Sequence, residues 1–159
     1  MNSVAASDDA DPVSIHASAV VVGESGVLIR GASGAGKSSL ALGLITAAER
    51  AGRFARLVGD DRIELCRRGG RLIARGHARI GGKVERRGQG ILEMDYEPAA
   101  VARLVVDLLA PQDATRYPGA DERVELCGVG LPVLSLRKDA AAYDSALVVL
   151  ARLQQTETI

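Results

Sequence analysis

Tryptophan is absent, and the chain carries one phenylalanine and three tyrosines in 159 residues. So few rings cannot build a base-stacking surface, which excludes single-stranded nucleic-acid recognition of that kind. Cysteine is scarce: Cys66 and Cys127 lie far apart and form no C-x-x-C pair. That excludes a disulfide scaffold and the ligand spacing of a zinc site. Neither sign of charge prevails, with 20 Lys+Arg against 20 Asp+Glu. No global field therefore draws the chain to DNA, RNA or an anionic membrane. No apolar run reaches the roughly 18 residues of a membrane-spanning helix. Cations are missing before Arg30, whereas Asp8, Asp9, Asp11 and Glu24 precede it. A secretory signal requires a positive n-region, so the expected location is the cytoplasm.

What remains is an ordinary globular composition, 47% hydrophobic and 25% charged. A chain of this size buries roughly 68–70% of its unfolded surface, enough for one self-sufficient core. The small, acidic stretch 1–13 reads as a disordered lead-in, 14–155 as one domain and 156–159 as a tail.

Hydrophobic patterning predicts strands at 18–22 and 26–30 joined by the turn Gly23-Glu-Ser-Gly26, which makes a hairpin. A helix follows, with Leu40, Leu44 and Ala48 repeating at i, i+4 beside Ala41 and Ile45, and Gly52 closing it. Residues 55–58 return as a buried strand ending at Asp60-Asp61. Gly69-Gly70 marks a hairpin between 62 and 80, and Gly88 with Gly90 divides 84–94 into strand, loop and strand. Pro98 suggests a short helix over 98–103, since proline suits a first helical turn, with a strand inside 101–109. A long loop over 110–121, strands at 123–127 and 131–136, and a helix over 139–153 with Ala146, Val149, Leu150 and Leu153 on one side complete the pattern. The fold class is α/β: a strand-rich mixed sheet with few helices.

Gly31-Ala32-Ser33-Gly34-Ala35-Gly36-Lys37-Ser38 satisfies G-x-x-x-x-G-K-[ST] between a predicted strand and a predicted helix, where a phosphate-binding loop belongs. The glycines let successive backbone N–H groups face one anion, and the helix adds the positive end of its dipole. Lys37 supplies a full charge to β/γ-phosphate oxygens, and Ser38 offers a hydroxyl to Mg²⁺. Such a loop says what is bound, not what is done with it. Asp60-Asp61, at a strand end, can divide two tasks between them, holding Mg²⁺ or its waters and accepting a proton from an attacking hydroxyl. A solvated strand-end turn is the plainer account of the same pair. Glu85-Arg86-Arg87-Gly88-Gln89-Gly90 offers an acid for Mg²⁺ and guanidinium groups for phosphate. Residues 62–87 hold nine Lys/Arg against Glu64 and Glu85, a patch for an acidic partner or a solvated sheet face.

These pieces, in this order, resemble the catalytic C-terminal domain of HPr kinase/phosphorylase, which acts on a serine of the phosphocarrier protein HPr. The matching residues are His16, the phosphate loop 31–38, Asp60-Asp61-Arg62, then Glu85-Arg-Arg-Gly-Gln-Gly-Ile91, where the family's run is E-I-R-G-L-G-I, and then Arg116. The resemblance covers about residues 14–137. It implies a phosphoenolpyruvate carboxykinase-like fold and a loop 31–38 that binds ATP or pyrophosphate. It implies Mg²⁺ on Ser38 and Glu85, and catalytic roles for His16, Lys37, Arg116 and the Asp60-Asp61 pair, with Asp61 favoured as the base. It further implies an HPr-type carrier as partner, phosphorolysis of phosphoserine as a second activity, a homo-oligomer of hexameric type, and a stand-alone short form of a longer family pattern. A small-molecule P-loop kinase and a non-catalytic nucleotide-sensing module are the alternatives. The strand-rich stretch 62–94 speaks against the first, and the joint presence of Lys37, Asp60, Asp61, Glu85 and Arg116 against the second.

Overall fold

The computed structural model describes residues 10–86, 88–114 and 122–157. The sheet is built on the predicted hairpin, β2 (Ala17–Val22) against β3 (Ser25–Gly31), after a short β1 (Val13–Ile15). All six residues of β2 are buried, which suits its Val-rich sequence and its position between two strands. Then come α1 (Lys37–Arg50), β4 (Ala55–Gly59), and the hairpin β5 (Ile63–Arg68) and β6 (Arg71–Gly76). A 3-10 turn (Ala78–Ile80) leads into a separate two-stranded ribbon, β7 (Lys83–Arg86) and β8 (Gly90–Glu93). The chain closes with β9 (Ala99–Leu109), β10 (Arg123–Leu126), β11 (Val129–Arg137) and α2 (Ala142–Glu157).

The main sheet runs β1-β5-β6-β9-β3-β2-β4, with β11 also on β9 and β10 on β11. Among the described strand pairs, β3/β9 and β9/β11 are parallel and the rest antiparallel. Long β9 serves two neighbours on one side: its start pairs with β6 and its end with β11. Alternation along the strands sends side chains into two cores. Val20, Val22, Val27 and Ile29 meet the apolar faces of α1 and α2, while Ala19, Val21 and Leu28 pack with Ile63, Leu65, Leu72 and Val105 on the other face. Gly43 of α1 lies against Ala142 and Ala146 of α2, so the two helices approach closely.

Two expectations are corrected. The helix read over 98–103 is the beginning of β9. Pro98 lacks only an N–H that a strand entrance can spare, and the Leu-Val-Val run that follows is filled on both sheet faces. The last helix begins at Ala142 rather than Asp139 and runs on to Glu157, because residues 138–141 are spent turning off β11. Strand β4, read correctly as a buried strand, pairs antiparallel with β2. The second half of the 110–121 loop, with Arg116, lies outside the described residues.

Candidate functional site

Strand β3 delivers the chain to Gly31, and α1 begins six residues later at Lys37. Between them Gly34 and Gly36 have φ of 79° and 99°, left-handed values that a side chain resists. At Gly31 a Cβ would stand 3.1 Å from the Ala35 Cβ and 3.2 Å from the Leu108 carbonyl oxygen, so the loop folds tightly onto β9. The first turn of α1 has neither a side-chain cap nor an acidic residue. Its free N–H groups and dipole face outward, an arrangement that favours an anion. Lys37 is buried, and its Nζ donates to the Gly31 and Ala32 carbonyls at 3.0 and 3.1 Å, which holds the ammonium over the loop.

The two carboxylates after β4 diverge. Asp60 turns inward and is only 6% exposed; its Oδ1 accepts from the Ser18 hydroxyl at 2.6 Å and from Ser38 at 2.8 Å, and its Oδ2 accepts from Ser38 at 3.0 Å. Asp61 turns outward, and its Oδ1 lies 2.5 Å from Nε2 of His16. The divergence comes from the backbone: Asp61 sits at φ 67°, a left-handed conformation costly for a residue with a side chain. Close packing below fixes the turn, since a Cβ on Gly59 would meet the Gly76 Cα at 2.9 Å and one on Gly76 the Val58 oxygen at 2.4 Å.

A cleft of about 480 Å³ gathers these groups. His16, Lys37, Ser38, Asp60 and Asp61 line it with Ser33, Gly34 and Gly36, and Glu85 and Arg86 reach it from β7. Gly31, Ala32 and Ala35 belong to the loop but are not in the cleft lining. Sequence reasoning missed Ser18, whose hydroxyl anchors Asp60; its signal is a lone serine inside an otherwise apolar strand. Behind the loop Arg30 and Asp107 pair bidentately at 2.8 and 2.8 Å, tying β3 to β9. That hydrogen-bonded carboxylate raises the Arg30 guanidinium further above its ordinary range.

Among the described residues no group of three or more His, Cys, Asp or Glu could hold a metal by itself. Ser38 and Asp60 nonetheless converge as hard oxygen donors, and Mg²⁺ characteristically takes one or two protein oxygens and completes its shell with water and substrate phosphate. The residues fit such a shared site. Glu85 lines the same cleft, while the carboxylate hydrogen-bonded to Ser38 is that of Asp60.

A mixed sheet carrying this loop and helix defines a P-loop protein of the strand-rich type. The HPr Serine kinase C-terminal domain family matches residues 8–136, and the chain belongs to that family. An HPr kinase/phosphorylase of Mycoplasma genitalium is 31% identical over 140 residues, 77% of this chain and 43% of that protein. One from Chlorobium phaeobacteroides is 33% identical over 132 residues, 76% of this chain and 37% of its own length. One from Treponema pallidum is 44% identical over 87 residues, covering 54% of this chain and 25% of the relative. The chain thus spans less than half the length of these curated relatives. The Hpr(Ser) kinase/phosphatase structure from Coxiella burnetii superimposes with a TM-score of 0.76 at 22% identity, over 92% of this chain and 97% of that one, and has the same fold.

Proposed function

We propose that this domain transfers the γ-phosphoryl group of ATP to a serine hydroxyl of an HPr-type phosphocarrier in the cytoplasm, with residues 14–155 acting as one catalytic unit. The observation that carries the reading is the convergence of Lys37, Ser38, Asp60 and the His16–Asp61 pair on one cleft beside the glycine loop. The names of the relatives support the choice of carrier.

In this reading the loop amides and the α1 N-terminus cradle the β- and γ-phosphates, and Lys37 moves from the loop carbonyls onto their oxygens. Ser38 and Asp60 would hold Mg²⁺, which would neutralise charge on the phosphate oxygens. Asp61, exposed and oriented by His16, accepts the proton as the carrier's serine oxygen attacks phosphorus. The bond to the β–γ bridging oxygen breaks and ADP leaves. Glu85 and Arg86 face the loop across the cleft, Glu85 as a further candidate for the metal, and Arg116 is assigned to transition-state charge by family resemblance. The same groups run the phosphorolytic direction. There phosphate attacks phosphoserine, pyrophosphate forms, and Asp61 returns its proton to the departing serine oxygen.

The deciding experiment incubates the protein with HPr, ATP and Mg²⁺ and follows intact mass. One added phosphoryl group on a serine of HPr is expected; unmodified HPr together with labelling of a metabolite would overturn the reading.

A further inference from the structure

A cavity of about 470 Å³ lies at the end of the sheet away from the phosphate loop. Strand β3 begins beside it, just after the Gly23–Glu24 turn, and ends at Gly31. At about 3.3 Å per residue the strand separates the two places by roughly 20 Å. No residue lines both this cavity and the cleft described above. Its wall is hydrocarbon: Val21 from β2, Phe54 just ahead of β4, Ile73 from β6 and Val101 from β9. The ring of Phe54, the one phenylalanine of the chain, is 48% exposed.

Two carboxylates, Glu24 and Glu97, join that lining, which holds no basic side chain. Among the described residues neither carboxylate has a hydrogen-bond or ion-pair partner. Two arginines close by are engaged elsewhere. Arg53 donates to Glu157 at 2.7 and 2.9 Å, and the Arg56 guanidinium lies over the Phe54 ring, 4.9 Å from its centroid. Main-chain bonds set the shape: the Gly23 N–H donates to the Phe54 carbonyl and the Glu97 N–H to the Leu57 carbonyl, both at 2.8 Å. The hollow is therefore formed in advance, and its volume falls within the range of about 300 to 1,000 Å³ that small-molecule sites occupy.

We propose that this cavity binds a small organic ammonium compound with an apolar body. Uncompensated negative charge beside an apolar wall repels an anion and gives a neutral apolar solute no ionic partner. A cation carried on hydrocarbon satisfies both surfaces. Its ammonium group meets Glu24 and Glu97, while its body covers Ile73, Val101 and the free part of the Phe54 ring. The site stands apart from phosphoryl transfer, so it holds or fails independently of the function proposed for the cleft.

The test follows backbone amide resonances of the nitrogen-15-labelled protein during titration with 2-phenylethylammonium. The uncharged 2-phenylethanol and ammonium chloride, a cation without a body, are the comparisons. Saturable shifts are expected at residues 23–24, 54, 97 and 99–101 and not at 31–38. The amine should bind about fivefold more tightly than the alcohol, and the Glu24→Gln, Glu97→Gln double variant should lose about that factor for the amine alone. Raised salt should weaken the amine and spare the alcohol in the wild-type protein, a measurement that needs no variant to fold. Equal binding of amine and alcohol, shifts reproduced by ammonium chloride, or unmoved cavity resonances would each overturn the proposal. So would shifts of the same resonances on dilution of the protein alone, with a dimer dissociating in sedimentation, because the cavity would then be an interface between copies.

Discussion

The Ser38 hydroxyl donates to both carboxylate oxygens of Asp60, joining the first turn of α1 to the end of β4 across 22 residues of sequence. Asp61, the next residue, faces His16 instead. One peptide unit thus separates a buried oxygen donor at the phosphate loop from an exposed carboxylate at the mouth of the cleft. The predictions that follow from the site depend on that separation.

Asp60→Asn keeps the size of the side chain and one oxygen to accept from Ser18 and Ser38, but loses the second acceptor and the charge proposed for Mg²⁺. The expected result is a higher half-saturating Mg²⁺ concentration and a fall of about 10²–10³ in kcat. Steady-state rates across a Mg²⁺ series measure it.

Asp61→Asn removes the proposed proton acceptor in a residue type that tolerates the left-handed backbone. A loss of about 10²–10⁴ in kcat is expected, the usual contribution of general-base catalysis. ATP affinity, measured by titration, stays unchanged. His16→Gln gives a smaller fall in kcat, since it disturbs the orientation of Asp61 and leaves its charge.

Gly76→Ala places a methyl group against the Val58 carbonyl, where 2.4 Å leaves no room. Overpacking of this kind costs about 1–3 kcal/mol. Thermal unfolding reads it as a drop of about 2–4 °C for each kcal/mol. Activity at low temperature falls as well, because β4 and the two aspartates move together.

Burial, with Cys66 nearby, pushes the Cys127 thiol up from its ordinary value. A raised pKa means less thiolate at a given pH, so alkylation at pH 8.5 is slower than that of a free thiol and catches up as pH rises. The sign for stability follows: the folded state disfavours the thiolate, so this contribution is intact below the unfolded pKa and is lost as pH rises through the folded one. Iodoacetamide kinetics read by mass at the Cys127 peptide isolate the residue with Cys66 in place.

Much of the architecture is legible in the sequence because it rests on local rules. The β2–β3 hairpin, the loop at Gly31–Ser38, α1 and the Gly69-Gly70 hairpin each carry their own turn or cap chemistry. Strand β9 escaped in part because Pro98 looks alike at the entrance of a helix and of a strand; only its neighbours β3, β6 and β11, brought from elsewhere in the chain, decide between them. The phosphate loop is legible for the same local reason, as its residues are contiguous. The division of labour between Asp60 and Asp61 is not. It depends on Ser18 from β2 and on a left-handed turn that two adjacent aspartates do not announce.

The pairing of β3 with β9 carries a consequence for biogenesis. Arg30 and Asp107 clasp each other although they lie 77 positions apart, so the strand that aims the glycine loop has its partner synthesised long after it leaves the ribosome. Contacts so distant along the chain form slowly and late. A nascent fragment that ends before β9 therefore has the loop's residues without its shape, and competence to grip a polyanion arrives in one step when β9 docks.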